Sequence, residues 1–204
     1  MRFTIVICAK REQIVLYLLS KSQTDDMNDK NIIVTRLYNS PCGEMIIGSI
    51  DGRLCLCDWM ANPSRRSRVD SRLSRIFNAG FREGRSAVIE QAIEQLDEYF
   101  FGKRSTFDLP LMLAGTEFQE QVWRELLTIP FGTTITYGEL ANRMALPDAV
   151  RAVANACGAN AISVFVPCHR VVGSKGMLTG YAGGIEAKRE LLLIENTSYR
   201  KNKY

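Results

Sequence analysis

The chain of 204 residues contains a single histidine, His169. Zinc sites and hydrolytic dyads draw on histidine repeatedly, so catalytic chemistry has only one place to start from. Cysteine forms no pattern either. The six, Cys8, Cys42, Cys55, Cys57, Cys157 and Cys168, are scattered, and Cys55-x-Cys57 lacks the spacing of a zinc knuckle. With no secretory leader, they argue for a reducing compartment, the cytoplasm or, in a eukaryote, the nucleus, and against a disulfide framework or a metal. Long apolar runs are missing as well. Met1 to Ser20 is apolar in places, but Lys10, Arg11 and Glu12 interrupt it too early for a membrane helix or a signal core. A soluble protein with no membrane contact is expected, and the chain shows no internal repeat or low-complexity tract.

What is present is ordinary globular material. With 46% hydrophobic and 24% charged residues, the chain can build one or two small domains with a real core. A formal net charge of +4 suits a polyanionic partner without requiring one. The run Arg65-Arg66-Ser67-Arg68, with Arg72 and Arg75, reads either as a phosphate-contacting face or as a solvated linker, inside a polar segment from Asn62 to Gly84 that reads as loop with a short helix.

Asn31 to Tyr38, Glu44 to Ile50 and Arg53 to Trp59 alternate or run apolar between turn signals and read as strands, the last two as a hairpin about Asp51-Gly52. From Ser86 to Phe101, Val88, Ile89, Ala92, Ile93, Leu96, Tyr99 and Phe100 recur at helical spacing, closed by Gly102. The runs Phe3 to Ala9 and Ile14 to Leu19 fit strand or helix equally. In the second half, the capping box Thr116-x-x-Gln119 starts a helix reaching about Ile129 and burying Phe118, Val122, Trp123, Leu126 and Leu127. A second box, Thr136-x-x-Glu139, starts a short helix from Tyr137 to Met144. After a turn at Leu146-Pro147, a third helix runs from about Asp148 to Cys157. Two short helices around a tight turn make a helix-turn-helix. The third helix is nearly bare, with Ala149, Ala152, Ala154 and Ala156, which allows close approach to a nucleic-acid groove or to a neighbouring helix.

An apolar stretch that reads as a buried strand ends at Val166-Pro167-Cys168-His169-Arg170-Val171. A cysteine is nucleophilic as thiolate, and histidine is the usual aid to losing the proton. Adjacent residues of an extended strand point to opposite faces, so Cys168 and His169 should not pair directly. An intervening water, or a turn beginning at Cys168, is expected. The alternative is a buried core cysteine beside a satisfied histidine.

Taken together, Arg151-Ala152-Val153-Ala154-Asn155-Ala156, Asn160, Pro167-Cys168-His169-Arg170-Val171 and Gly180-Tyr181-Ala182-Gly183-Gly184 resemble the methylated-DNA–protein-cysteine methyltransferases, or O6-alkylguanine-DNA alkyltransferases. The resemblance covers about Thr116 to Glu195, with a weaker likeness from Ser40 to Met60. It implies an α+β fold: a small ribonuclease H-like sheet-plus-helix domain over 37–115, then a mostly helical, winged helix-turn-helix-like domain over 116–199. Residues 1–36 would be an extension of unknown role and 200–204 a tail.

The resemblance also implies direct reversal of DNA damage. The partner would be double-stranded DNA containing O6-alkylguanine, bound by a monomer without cofactor, and the alkyl group would pass irreversibly to Cys168. The base must leave the stack for this, because O6 is enclosed by pairing and stacking. Arg151 matches the finger that fills the gap, and Ala152 lies on the helix facing the minor groove. Tyr137 matches the donor to the departing guanine, the alternative being a core aromatic. The carbonyls of Cys168 and Val171 would read the guanine amino group. The amide of Ala182, often serine in relatives, would face O6, and Tyr181 would wall the pocket. Glu195 matches the partner that orients His169, giving a relay from Glu195 through His169 and a water to Cys168 that makes thiolate at neutral pH. Asn160 matches a residue bracing the turn before the cysteine, though Ala161 follows it where relatives often have proline. Two rivals remain: a noncatalytic helix-turn-helix lesion binder or regulator, whose known examples lack the cysteine, and a Cys-His thiol hydrolase, which the adjacency of the pair disfavours.

Overall fold

Three antiparallel strands lead the described chain. The computed structural model describes residues 31–196, so the runs Phe3 to Ala9 and Ile14 to Leu19 and the tail 200–204 lie outside it. Strands β1 (Asn31–Ser40), β2 (Gly43–Ile50) and β3 (Arg53–Trp59) pair in sequence order. Met45 and Ile47, two residues apart on β2, are both fully buried, as the pleat requires. The β2–β3 hairpin turns on Asp51 (φ 49°) and Gly52 (φ 69°), the pair of positive dihedrals that matches strand twist in a two-residue loop. The boundary expected at residue 37 falls inside β1, whose pairing with β2 already includes Val34 to Arg36.

The segment after β3 departs from expectation. Instead of a loop with a short helix, it forms α1 (Pro63–Phe77) and β4 (Ala79–Glu83), which joins β1 to give the order β3-β2-β1-β4. Asn62 caps α1 by accepting from the Arg65 amide at 2.9 Å, and Pro63 supplies the fixed first φ. Its inward side carries Val69 and Leu73, with Phe77 partly buried at its end and Arg66 buried beside them. The hydrophobic period is thin because arginines fill positions where apolar residues usually face the core. Helix α2 (Ala87–Phe100) is as expected, capped by Ser86 and packed on β2 and β3 through Ile89, Ala92 and Leu96.

The outer edge of β3 is closed by two segments from farther along the chain. Leu54 exchanges backbone bonds with Pro110 and Met112 at 2.9 and 2.8 Å, and Cys57 with Ala161 and Ser163 at 2.8 and 2.6 Å. The second contact ties the sheet directly to the segment leading to Cys168. One apolar cluster joins Met45, Trp59, Leu96 and Tyr99 to Val122, Trp123, Leu140, Val153 and Leu191, so both halves share a core.

Both capping boxes form. Thr116 starts α3 (Glu117–Leu126) and Thr136 starts α4 (Tyr137–Arg143). Helix α3 stops short of Ile129, and Leu127, expected in the core, is 45% exposed where the chain turns away. The third helix divides into a 3-10 turn, Pro147–Ala149, and α5 (Val150–Gly158), with Trp123 Nε1 donating to the Ala156 carbonyl at 2.8 Å. The stretch before Cys168 is not a strand. Local bonds from Val166 N to Ile162 O and from Phe165 N to Ser163 O fold it into turns, and Val164 adopts φ 73°, unfavourable for a β-branched residue. A 3-10 turn, Cys168–Arg170, leads to β6 (Val171–Val172), which pairs in parallel with β5 (Ile135–Thr136), and α6 (Gly184–Glu195) ends the described chain. Among the described residues no helix is long and apolar enough to cross a membrane.

Candidate active site

The turn anticipated at Cys168 is where the chemistry gathers. Cys168 is 7% exposed, and its Sγ accepts from Nδ2 of Asn160 at 3.2 Å. The same Nδ2 donates to the Val166 carbonyl at 2.9 Å, while Oδ1 accepts from the Ile162 amide at 2.9 Å. One buried amide thus fixes both ends of the turn and touches the sulfur.

Asn160 is in turn held by α1. Arg65 donates to the carbonyl of Asn160 at 2.6 Å and to that of Gly158, and Arg72 donates to that of Ala159 at 2.8 Å. Arginines therefore satisfy the free carbonyls at the C-terminal end of α5, where a positive charge also complements the helix dipole. Asp58, fully buried on β3, anchors the set through Arg65 at 3.3 Å and Arg66 at 3.2 Å. Neither reading of the arginine run anticipated this. The one available signal was the seven-residue spacing of Arg65 and Arg72, which puts them on one helix face.

His169 is completely buried and makes no hydrogen bond to Cys168. Its Nε2 lies 2.7 Å from Oε1 of Glu195. Glu195 also accepts from Arg170 Nε at 2.8 Å, Arg170 Nη2 at 3.0 Å, Tyr99 Oη at 2.8 Å and the Gly132 amide at 3.1 Å. Burial alone would raise this carboxyl, but the bonds and charges of His169 and Arg170 outweigh it and hold it at about 2. Burial also lowers the His169 imidazole, against the opposing pull of Glu195, so the resting ring is neutral. A carboxylate at Nε2 assigns the proton to that nitrogen and leaves the lone pair on Nδ1, which has no protein partner among the described residues.

Burial raises the Cys168 thiol, while Asn160, Lys188 and Arg65 pull it back down. The resting pair is therefore thiol and neutral imidazole.

Cys168, Tyr137, Cys157, Tyr181 and Ala182 line a cavity of about 20 Å³. Arg65, Tyr137 and the 180–182 loop also line a wider groove of about 640 Å³, which includes Ala154 and Asn155 of α5. Tyr181 packs edge-on against Trp59 at 5.9 Å and His169 at 6.5 Å. Trp59 also lies so close to Gly183 that a Cβ there would sit 2.6 Å from the indole. Fully buried Lys188 donates to the carbonyls of Val171 at 2.7 Å and Thr179 at 3.1 Å, and stands 5.9 Å over the Tyr137 ring.

The fold thus brings together Cys168, His169, Glu195, Asn160, Tyr137, Tyr181 and Ala182. Val171 is fully buried, and its carbonyl accepts from Lys188. Arg151 and Ala152 are exposed on α5 and line neither cavity. Lys188, Cys157, Trp59 and the arginines of α1 were not singled out from sequence for this site; a lysine in an amphipathic helix gives no sign that it will be buried.

The family model described as "6-O-methylguanine DNA methyltransferase, ribonuclease-like domain" matches residues 33–113, and "6-O-methylguanine DNA methyltransferase, DNA binding domain" matches 117–197. A methylated-DNA–protein-cysteine methyltransferase of Mycobacterium leprae is 41% identical over 167 residues, covering 80% of this chain and 93% of that protein. One of Mycobacterium bovis is 53% identical over 106 residues, 52% of this chain and 64% of its own length. Among solved structures, the O6-methylguanine methyltransferase of Mycobacterium tuberculosis matches with TM-score 0.67 and 39% identity, covering 81% of this chain and 93% of that one. M. tuberculosis OGT in complex with DNA matches with TM-score 0.67 and 38% identity over the same shares.

Proposed function

This chain belongs to the methylated-DNA–protein-cysteine methyltransferase family, and from that membership we propose that it reverses O6-alkylguanine damage in duplex DNA by taking the alkyl group, chiefly methyl, onto Cys168. The observation that carries this reading is the sulfur itself: a nearly enclosed thiol, bonded by Asn160, at a cavity of methyl size behind a wider groove.

In the reaction, Arg151 and the bare face of α5 engage the minor groove, and the damaged nucleotide turns out into the pocket walled by Tyr181. The Ala182 amide faces O6, the Cys168 carbonyl reads the guanine amino group, and the Val171 carbonyl does so with the lone pair that Lys188 leaves free. The Cys168 proton passes through a bridging water to Nδ1 of His169, whose Nε2–H is held by Glu195. Sulfur then attacks the alkyl carbon, the carbon–O6 bond breaks, and the electron pair leaves with the purine. Tyr137 offers a proton toward the ring nitrogen that gains charge. Asn160 steadies the sulfur as it becomes anionic, since a donor to a charged acceptor is stronger than one to a neutral thiol. The product thioether has no leaving group for water, so each molecule acts once, without cofactor. Residues 31–115 and 116–196 serve as the two domains of a cytoplasmic monomer, the first bracing the second through α1 and β3.

A 5′-labelled duplex carrying O6-methylguanine tests this. Wild-type protein is expected to remove the lesion, and Cys168→Ser to bind the duplex and leave it intact. Clearance by Cys168→Ser at the wild-type rate contradicts the proposal.

A further inference from the structure

The wider groove has a continuation that the reaction above does not use. On α1, Arg65, Arg68, Arg72 and Arg75 recur at three- and four-residue spacing and share a face. Arg65 and Arg72 are turned inward, holding carbonyls of α5. Arg68 and Arg75 are exposed, with no hydrogen bond or ion pair among the described residues. The only acid of this helix, Asp70, is paired with Arg66. Ser67 and Ser71 complete a groove of about 250 Å³ with Arg68, Arg72 and Arg75. Arg68 and Arg72 belong equally to the groove that contains Tyr137, Tyr181 and the end of α5, so the two form one basic channel leading away from the cysteine.

We propose that this face of α1 binds the sugar-phosphate backbone of the lesion-bearing strand as it leaves the extruded nucleotide, with Arg68 and Arg75 each neutralising a phosphate. The inference rests on the repair reading above and extends its DNA surface to the other half of the molecule. The chemistry fits a phosphodiester chain. Free guanidiniums supply charge and forked donors, small hydroxyls between them supply further donors, and no apolar side chain lines the groove of Ser67, Arg68, Ser71, Arg72 and Arg75. Seven residues of helix separate the two arginines by about 10 Å, roughly three base-pair rises along the duplex axis. An acidic protein partner would meet the same charge, but the channel opens into a pocket for a base, and a strand delivering that base must pass its mouth.

Equilibrium binding to duplex carrying O6-methylguanine across salt concentrations, with Cys168→Ser added to every protein for the binding measurement alone, tests the inference. Arg68→Gln/Arg75→Gln is compared with wild type and with Arg85→Gln/Lys103→Gln, which removes two exposed charges elsewhere. Each phosphate contact contributes about 0.9 to the slope of log K against log salt, so the α1 variant should have a slope shallower by about 1.8, and the control an unchanged one. Methyl transfer from the free base O6-methylguanine should be equal in all three. Equal slopes in wild type and α1 variant, or equal losses in the α1 variant and the control, overturn the inference while free-base transfer leaves the repair reading standing. A wild type that neither binds duplex nor accepts methyl overturns both.

Discussion

Replacing Glu195 by glutamine keeps the shape of the side chain and removes its charge, which isolates what that charge does. In the folded protein the carboxyl is held at about 2, against 4.5 for the unperturbed group. At about 1.4 kcal/mol per pKa unit, the difference corresponds to ~3 kcal/mol of stability at neutral pH. The size agrees with a second route to it. Glu195→Gln leaves Arg170, bonded to the carboxylate at 2.8 and 3.0 Å, as a buried cation without its counter-charge, and breaking a buried pair from one side costs about 3–5 kcal/mol. Because the folded pKa is depressed, the contribution is present in full above 4.5 and disappears as pH falls toward 2. Urea denaturation of both proteins at pH 7 and at intervals down to pH 3 should therefore show a gap of ~3 kcal/mol that narrows on acidification. Single-turnover methyl transfer at pH 7 should fall as well, since the imidazolium formed when His169 takes the Cys168 proton loses its counter-charge. Equal stability at pH 7, or a gap that does not change with pH, refutes the reasoning.

Asn160→Ala removes bonds to Sγ, to the Val166 carbonyl and from the Ile162 amide; it should cost about 1–3 kcal/mol in thermal denaturation and slow alkylation of Cys168 by iodoacetamide at fixed pH. Gly183→Ala places a Cβ 2.6 Å from the Trp59 ring, so the pocket loop must shift. Methyl transfer from DNA should drop while iodoacetamide still reaches Cys168, and unchanged repair contradicts the packing described. Burial lowers His169, so the base form persists below the ordinary value of about 6.5. Single-turnover rates should stay level from pH 8 down through that value, and a half-maximal point at or above it would count against a neutral resting imidazole.

Strands, capped helices and the cysteine turn were legible because each has a local cause: alternation in β2, Asp51-Gly52 at a hairpin, and threonine hydroxyls answered by Gln119 and Glu139 at the two capping boxes. The cluster of Cys168, His169, Asn160, Tyr137, Tyr181 and Glu195 was found by motif, since its members stand far apart in sequence and no periodicity joins them. Two elements were misread for physical reasons. Helix α1 buries few apolar residues because its arginines answer Asp58 and the carbonyls of α5, partners that no local pattern reveals. The stretch before Cys168 has strand composition but folds into turns, because Asn160 and the edge of β3 bind its backbone at separated points. Lys188 and Cys157 reach the site only through the packing of α5 and α6. The thiol's protonation likewise follows from burial, which composition does not report.

The central claim concerns one sulfur atom, and intact-mass spectrometry after mixing with excess O6-methylguanine duplex examines it most directly. The account predicts that the protein gains a single methyl in place of hydrogen, that peptide mapping locates it on Cys168, and that lesion loss stops at one equivalent per protein. Lesion loss continuing past one equivalent with the protein mass unchanged would contradict it.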